Sequence, residues 1–212
     1  MSLLKIVFMS INFALIDLVT GGKHCTASNH HLSCVYDVAD GQPLAVEKGD
    51  IRTLDLSGTS ITDLERDYIS DYANVVEINL SNCGIRSVGN GSFSDLYKLI
   101  KLNLSDNLMT TFNVDSFRDV NPLNVLVLSN NLLISLDSFS LDKFPKLDTL
   151  DLTGNALKYL PPNIFIKLIQ DPSFNIFTYK NPWDCNDTHW KSDLKKSQYL
   201  KIISVYLRMT RH

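Results

Sequence analysis

None of the short signatures that carry catalysis occurs in this chain. There is no Gly-x-Ser-x-Gly elbow, no phosphate loop and no His-Glu-x-x-His pair, and the carboxylates are scattered rather than convergent. Neither an enzyme activity nor a cofactor is expected. An excess of one charge is missing as well: 20 Lys and Arg face 23 Asp and Glu. A net charge of −3 argues against nucleic acid as the principal partner. Long apolar runs are lacking beyond residue 22, so no membrane span is expected, and Arg208-Met-Thr-Arg-His212 is too polar for a lipid-anchor tail. The one apolar run, Ile6–Val19, falls short of the roughly 20 residues that cross a bilayer. Cysteine is sparse, with four in 212 residues.

What the chain does contain is a repeat. The pattern LxxLxLxxNxL begins at Ile51, Val75, Leu99, Leu123 and Leu147, a constant step of 24 residues, and an imperfect copy begins at Ser173 after 26. Places four and six (Leu54 and Leu56, then Ile78 and Leu80, and so on) alternate along a short strand and point to one side, the interior. Place nine holds Asn107, Asn131, Asn155 and Asn181, whose amides can satisfy backbone groups left unpaired by the bend. Thr59 and Cys83 stand there in the first two copies, so weaker satisfaction is expected at those turns. Apolar residues at place fourteen (Leu64, Val88, Phe112, Leu136, Leu160) and place nineteen (Ile69, Phe93, Phe117, Leu141, Phe165) pack the returning segment onto the strand. One repeat cannot bury both faces, so neighbours must stack.

Four regions follow. Residues 1–22 read as a secretory signal, with Lys5, the apolar run and small residues Thr20, Gly21 and Gly22 for cleavage, though Asn12 and Asp17 interrupt it. The other reading is an amphipathic N-terminal helix. Residues 23–50 form a cysteine-bearing cap, 51–181 the repeats, and 182–212 a second cap. Cys25 and Cys34 are close enough in sequence to suggest a local disulfide. Cys83 and Cys185 lie about four repeats apart, roughly 19 Å at about 4.8 Å per strand. That exceeds the reach of a disulfide, so Cys83 is expected as a buried thiol. Cys185 is either a half-buried free thiol or a link to another chain.

His24, His30 and His31 near those cysteines invite a metal, but no Cys-x-x-Cys accompanies them and an oxidised pair offers no thiolate. Exposed loop histidines are the plainer account. Four Asn-x-Ser/Thr sequons, at Asn79, Asn90, Asn103 and Asn186, fit a secreted glycoprotein. Asn79 and Asn103 stand at place five, where glycans would shield part of the inner face, and Asn90 stands on an outer loop. Leu200, Ile203 and Leu207 recur at helical spacing among Lys195, Lys196, Lys201 and Arg208. A helix packed on the last repeat is one reading, and a membrane or acidic partner another. Ile202–Tyr206 also reads as a strand.

Residues 51–181 resemble the extracellular leucine-rich repeat family. The resemblance implies an α/β solenoid, a right-handed curved horseshoe with a parallel β-sheet on the concave face and a cap at each end. Cys34-Val35-Tyr36-Asp37-Val38 and Asn181-Pro182-Trp183-Asp184-Cys185-Asn186 resemble the flanks of the leucine-rich immune proteins of mosquitoes and related flies. With 27 residues after Cys185 and no sustained heptads, the chain resembles a short member without a coiled coil. That implies a secreted haemolymph protein of innate immunity that binds complement-like thioester proteins, another leucine-rich chain or microbial surfaces. Caps of matrix proteoglycans and receptor ectodomains also use Asn-Pro-Trp-x-Cys, so a matrix or cell-adhesion protein, or a fragment of a receptor ectodomain, is the alternative. Those caps carry a further cysteine two residues on, where this chain has Asp187.

Places three, five and seven should face the ligand. Among them Asp55, Glu77, Lys101 and Asp151 carry charge, while Val125, Val127, Phe177 and Tyr179 are apolar or aromatic residues on a face turned to water. Valine also simply favours strands. An interchain bond at Cys185 predicts a dimer band on a non-reducing gel that collapses on reduction. A monomer under both conditions rules the bond out.

Overall fold

A computed structural model describes residues 16–20, 23–28, 30–36, 51–136, 139 and 141–184. In chain order its elements are β1 (Ile16–Thr20), β2 (Lys23–Ser28), β3 (His31–Tyr36), β4 (Thr53–Asp55), β5 (Asp63–Leu64), β6 (Glu77–Asn79), β7 (Ser87–Val88), β8 (Lys101–Asn103), β9 (Val125–Val127), β10 (Thr149–Asp151), α1 (Pro162–Gln170) and β11 (Asn175–Phe177). Nine of the strands form one sheet in the order β1-β2-β3-β4-β6-β8-β9-β10-β11, and β5 pairs with β7 in a second. From β3 to β11 every pairing is parallel and strictly in register: Leu32, Leu54, Ile78, Leu102, Leu126, Leu150 and Ile176 lie side by side. This is the expected α/β leucine-rich repeat solenoid, one repeat per rung.

Hydrophobic burial drives the stacking. The inward leucines of places four and six are fully buried in the first five rungs, or nearly so, and the residues of places fourteen and nineteen join them in one continuous core. On the outer side phenylalanines form a second spine. Phe93 stacks on Phe117 and Phe117 meets Phe144 edge-on, both at 4.9 Å between centroids, while Phe139 bridges Phe112 and Phe144 at 5.9 and 5.7 Å. Each such pair adds about 1 kcal/mol beyond its buried area. The outer segments of the first, third and fourth rungs carry short 3-10 turns and that of the second is a plain turn, whereas a helix stands in the fifth rung. There the two extra residues are taken up by α1, which starts after Pro161 with Pro162 at its first position, where no backbone N–H is needed.

Amides at place nine tie each rung to the one before. Asn131 Nδ2 donates to the carbonyls of Leu104 (2.9 Å) and Leu128 (3.1 Å), and its Oδ1 accepts from the Met109 N–H (3.2 Å). Asn107, Asn155 and Asn181 repeat this arrangement. The imperfect sixth copy is therefore a genuine rung. At the two exceptions a donor survives but the acceptor is lost. Thr59 Oγ1 and Cys83 Sγ both donate to the Leu56 carbonyl, at 2.7 and 3.1 Å. The Ile61 N–H, having no Oδ1 to meet, bonds to the Cys83 carbonyl instead.

Place eight shows a rule that the leucine pattern hides. Gly58, Asn82, Asp106, Asn130, Gly154 and Lys180 all have φ between +54° and +72°. Glycine, asparagine and aspartate tolerate that left-handed backbone best, and Lys180 alone departs. At Gly154 a Cβ would collide with Asn130 Oδ1.

The N-terminal end opens with an antiparallel β1–β2–β3 meander whose last strand joins β4 in parallel. Residues 16–20, which the sequence assigns to the signal, are thus the outermost strand rather than part of a helix. Cleavage at residues 20–22 would remove it and leave β2 as the edge. Cys25 lies directly opposite Cys34. Opposed residues in such a ladder have Cα atoms about 4.5–5.5 Å apart, inside the disulfide range. At the far end Trp183 is half-buried against the core and its Nε1 donates to the Thr178 carbonyl. The remainder of the expected C-terminal cap, with Cys185, Asn186 and the segment up to residue 212, lies outside the described residues. Among the described residues no helix is long and apolar enough to cross a membrane.

Asn131→Ala removes a three-way bridge and should lower the unfolding free energy in urea by about 3 kcal/mol, against about 1 kcal/mol for Thr59→Ala. Equal losses would show that the amide ladder is not what joins the rungs.

Candidate binding face

Side chains at places three, five and seven project from the solvent side of the main sheet. In rung order they are Thr53, Asp55, Ser57; Glu77, Asn79, Ser81; Lys101, Asn103, Ser105; Val125, Val127, Ser129; Thr149, Asp151, Thr153; and Asn175, Phe177, Tyr179. Apart from Ser105 they are half-buried or exposed. Every residue expected to face a ligand lies on this surface.

Place five has a structural duty. Asp55, Asn79, Asn103 and Asp151 each accept the backbone N–H two residues on, from Ser57, Ser81, Ser105 and Thr153, at 2.9–3.2 Å. This local turn bond is a stable use of an Asx side chain. Val127 offers the Ser129 N–H no such acceptor. In the N-terminal half, Asn103 Nδ2 also donates to Asn79 Oδ1 at 3.1 Å, and Lys101 Nζ stands 3.8 Å from Glu77. Both ions of that pair are half exposed, and such a pair contributes little to stability, so it remains open to a partner.

These residues line a shallow groove of about 230 Å³ with His31, Thr53 and Asp55. His31 comes from the cap strand β3, in register with Thr53. Its alternation in His31-Leu32-Ser33 was a strand signal, but the residue lies outside the 24-residue pattern. The charged half (Asp55, Glu77, Lys101) and the valine half (Val125, Val127) are contiguous through β8 and β9. Phe177 and Tyr179 are not joined to the valines: Thr149, Asp151 and Thr153 of the fifth rung intervene. The aromatics are 43 and 40 % exposed and the valines half-buried.

Two sequons on this face, Asn79 and Asn103, use their Oδ1 within the rung, and Asn103 also uses its Nδ2. Asn90 is exposed, and its Oδ1 accepts from Asn113. Cys83 is a buried free thiol. Burial pushes its pKa up, and the hydrogen bonds from the Thr59 side only partly oppose this, so it is an inert core group. Among the described residues no cluster of three or more His, Cys, Asp or Glu could hold a metal.

A surface the leucine pattern did not signal lies on the flank that follows the strands. Leu108, Leu132, Ile134 and Tyr159, at places ten to thirteen of rungs three to five, are exposed. Such places fall outside both the strand alternation and the core positions, so nothing in the repeat marks them.

Comparison with known proteins agrees with this geometry. The family pattern described as leucine rich repeat matches residues 49–107, 73–133 and 102–157, half of the chain taken together. The protein belongs to the leucine-rich repeat family. Among solved structures it is similar to that in the crystal structure of the TLR13-ssRNA13 complex, with a TM-score of 0.62 and 20 % identity. That likeness covers 74 % of this chain and 23 % of the other, so this chain spans about a quarter of its length. No curated protein matches.

Val127→Asn would supply the missing turn acceptor. It should leave the melting temperature unchanged or raise it by a few degrees in a thermal scan. A marked fall would mean that the valine is held for packing and not for a ligand.

Proposed function

We propose that this is a secreted, non-enzymatic recognition protein that binds a protein partner through its concave face, in innate immunity. The observation that carries the reading is Val127. At place five an Asx residue satisfies the turn, and a residue that gives up that bond to present methyl groups to water is best explained by a contact. The groove beside it adds the charges that orient a ligand: Asp55, Glu77 and Lys101. Phe177 and Tyr179 form a second contact further along the sheet. A complement-like thioester protein, another leucine-rich chain or a microbial surface fits the resemblance of the flanks. Nucleic acid fits poorly, because Lys101 is the single Lys or Arg at places three, five and seven and already faces Glu77. The likeness to the TLR13 structure, itself bound to ssRNA13, is a likeness of fold and transfers no ligand.

Secretion accords with the opposed Cys25 and Cys34, which an oxidising compartment would join, and with the exposed Asn90 sequon. Asn103 is a poorer glycan acceptor because its Nδ2 already donates to Asn79 Oδ1 of the neighbouring rung. Cys185 remains the residue through which two chains would be linked. A receptor ectodomain fragment is the second reading, resting on the Asn-Pro-Trp-x-Cys motif at Asn181–Cys185 that such ectodomains share. A matrix or adhesion role would use the same face.

A pull-down from native extracellular fluid with wild-type protein and Val127→Asp tests the reading. The variant should keep its melting temperature and lose at least tenfold in capture of the partner identified by mass spectrometry. Equal capture removes this face from consideration.

A further inference from the structure

The groove at the cap end of the concave sheet holds about 230 Å³. Pockets that take whole small molecules run from roughly 300 to 1,000 Å³, so this one suits a single side chain of a larger partner. Its walls come from β3, β4, β6 and β8, neighbours in the sheet, with His31 at the cap end and Lys101 at the other.

Hydrogen bonds decide which groups remain for that side chain. Asn79 and Asn103 have given their Oδ1 atoms to the N–H groups of Ser81 and Ser105, and Asn103 Nδ2 is held by Asn79. Asp55 accepts the Ser57 N–H at Oδ1, and its Oδ2 has no hydrogen bond among the described residues. Glu77 is half exposed and faces Lys101 at 3.8 Å, beyond hydrogen-bond range. The acceptors left over are therefore carboxylate oxygens. Asp55 and Glu77 stand two places apart on adjacent strands. About 4.8 Å across and 6.6 Å along put their Cα atoms roughly 8 Å apart, a gap that a cation between the carboxylates can bridge. Charge agrees: these two acids against Lys101 leave a net of −1, with histidine neutral.

Given a binding role for the concave face, we propose that this groove receives one arginine side chain of the protein partner, its guanidinium lying between Asp55 Oδ2 and Glu77. A guanidinium is planar and presents a fork of N–H donors that can bond two carboxylates at once, whereas a lysine ammonium is a more strongly hydrated point charge. An acidic side chain would meet two carboxylates of its own sign. Lys101 competes for Glu77 and so tempers the affinity.

Titration of the isotope-labelled full chain with N-acetyl-arginine amide, followed by backbone amide chemical shifts, tests this. Saturable shifts should cluster on β4, β6 and β8. N-acetyl-lysine amide should bind about threefold more weakly, and N-acetyl-glutamate amide should not bind. Asp55→Asn keeps the turn bond, as Asn79 does at the same place, and Glu77→Gln alters an exposed side chain, so both variants should fold normally. Each should weaken arginine binding about fivefold or more. Lys101→Gln should strengthen it about threefold, a gain that a purely structural role for these residues does not produce. Shifts that fail to saturate, equal binding of the glutamate compound, or an affinity unchanged in both Asp55→Asn and Glu77→Gln overturns the proposal. Should that happen while Val127→Asp still loses the partner, the concave face stands and only the arginine pocket falls.

Discussion

A buried side-chain amide that bonds to two rungs at once is the constraint on which this solenoid depends. Each bend leaves carbonyls and N–H groups inside, away from water, and an unpaired buried group costs about 1–3 kcal/mol. An asparagine at place nine has two donors and an acceptor, enough to serve its own bend and the one before. The leucines then stack without being asked to fix the spacing. Where Thr59 and Cys83 stand, the hydroxyl and thiol keep the donor role, and a backbone carbonyl takes over as acceptor. The two substitutions occur in adjacent rungs and share the Leu56 carbonyl, and Thr59 Oγ1 lies 3.4 Å from Cys83 Sγ, so they form a local replacement for the ladder.

The same economy of hydrogen bonds shapes the binding face. Place five is drawn into the turn, so its Asp and Asn residues serve two masters, stability and surface chemistry. Only where the turn bond is given up, as at Val127, is the residue released for a partner. Place three carries no such duty and varies freely through Thr53, Glu77, Lys101, Val125, Thr149 and Asn175. The face accordingly divides into a charged half bordered by the cap and a more apolar half towards the C-terminal end.

Most of the fold was legible in the sequence because a 24-residue period fixes which side chains are equivalent, and equivalent side chains must stack. The six rungs, the buried Cys83 and the orientation of places three, five and seven all follow from that. Three things were less legible. The left-handed backbone at place eight is spelled by Gly, Asn and Asp, yet Lys180 breaks the spelling and a leucine template does not consult it. His31 joins the groove from a strand outside the period. Ile16–Thr20 reads as part of a leader by its apolar character, and by β-pairing it is also an edge strand; hydrophobicity alone does not distinguish the two.

By itself the sequence determined the period, the inward faces and the placement of the amides, because these depend on chemistry repeated at a fixed interval. Only the tertiary structure decided which polar groups were already occupied by backbone bonds and which apolar ones were left uncovered. Asn79 and Val127 hold the same place in the repeat, and the difference between them is a hydrogen bond to a neighbouring N–H. Leu132 and Leu133 are adjacent leucines, one on the flank and one in the core, and the direction of a side chain on a bending backbone is settled by the rungs stacked on either side.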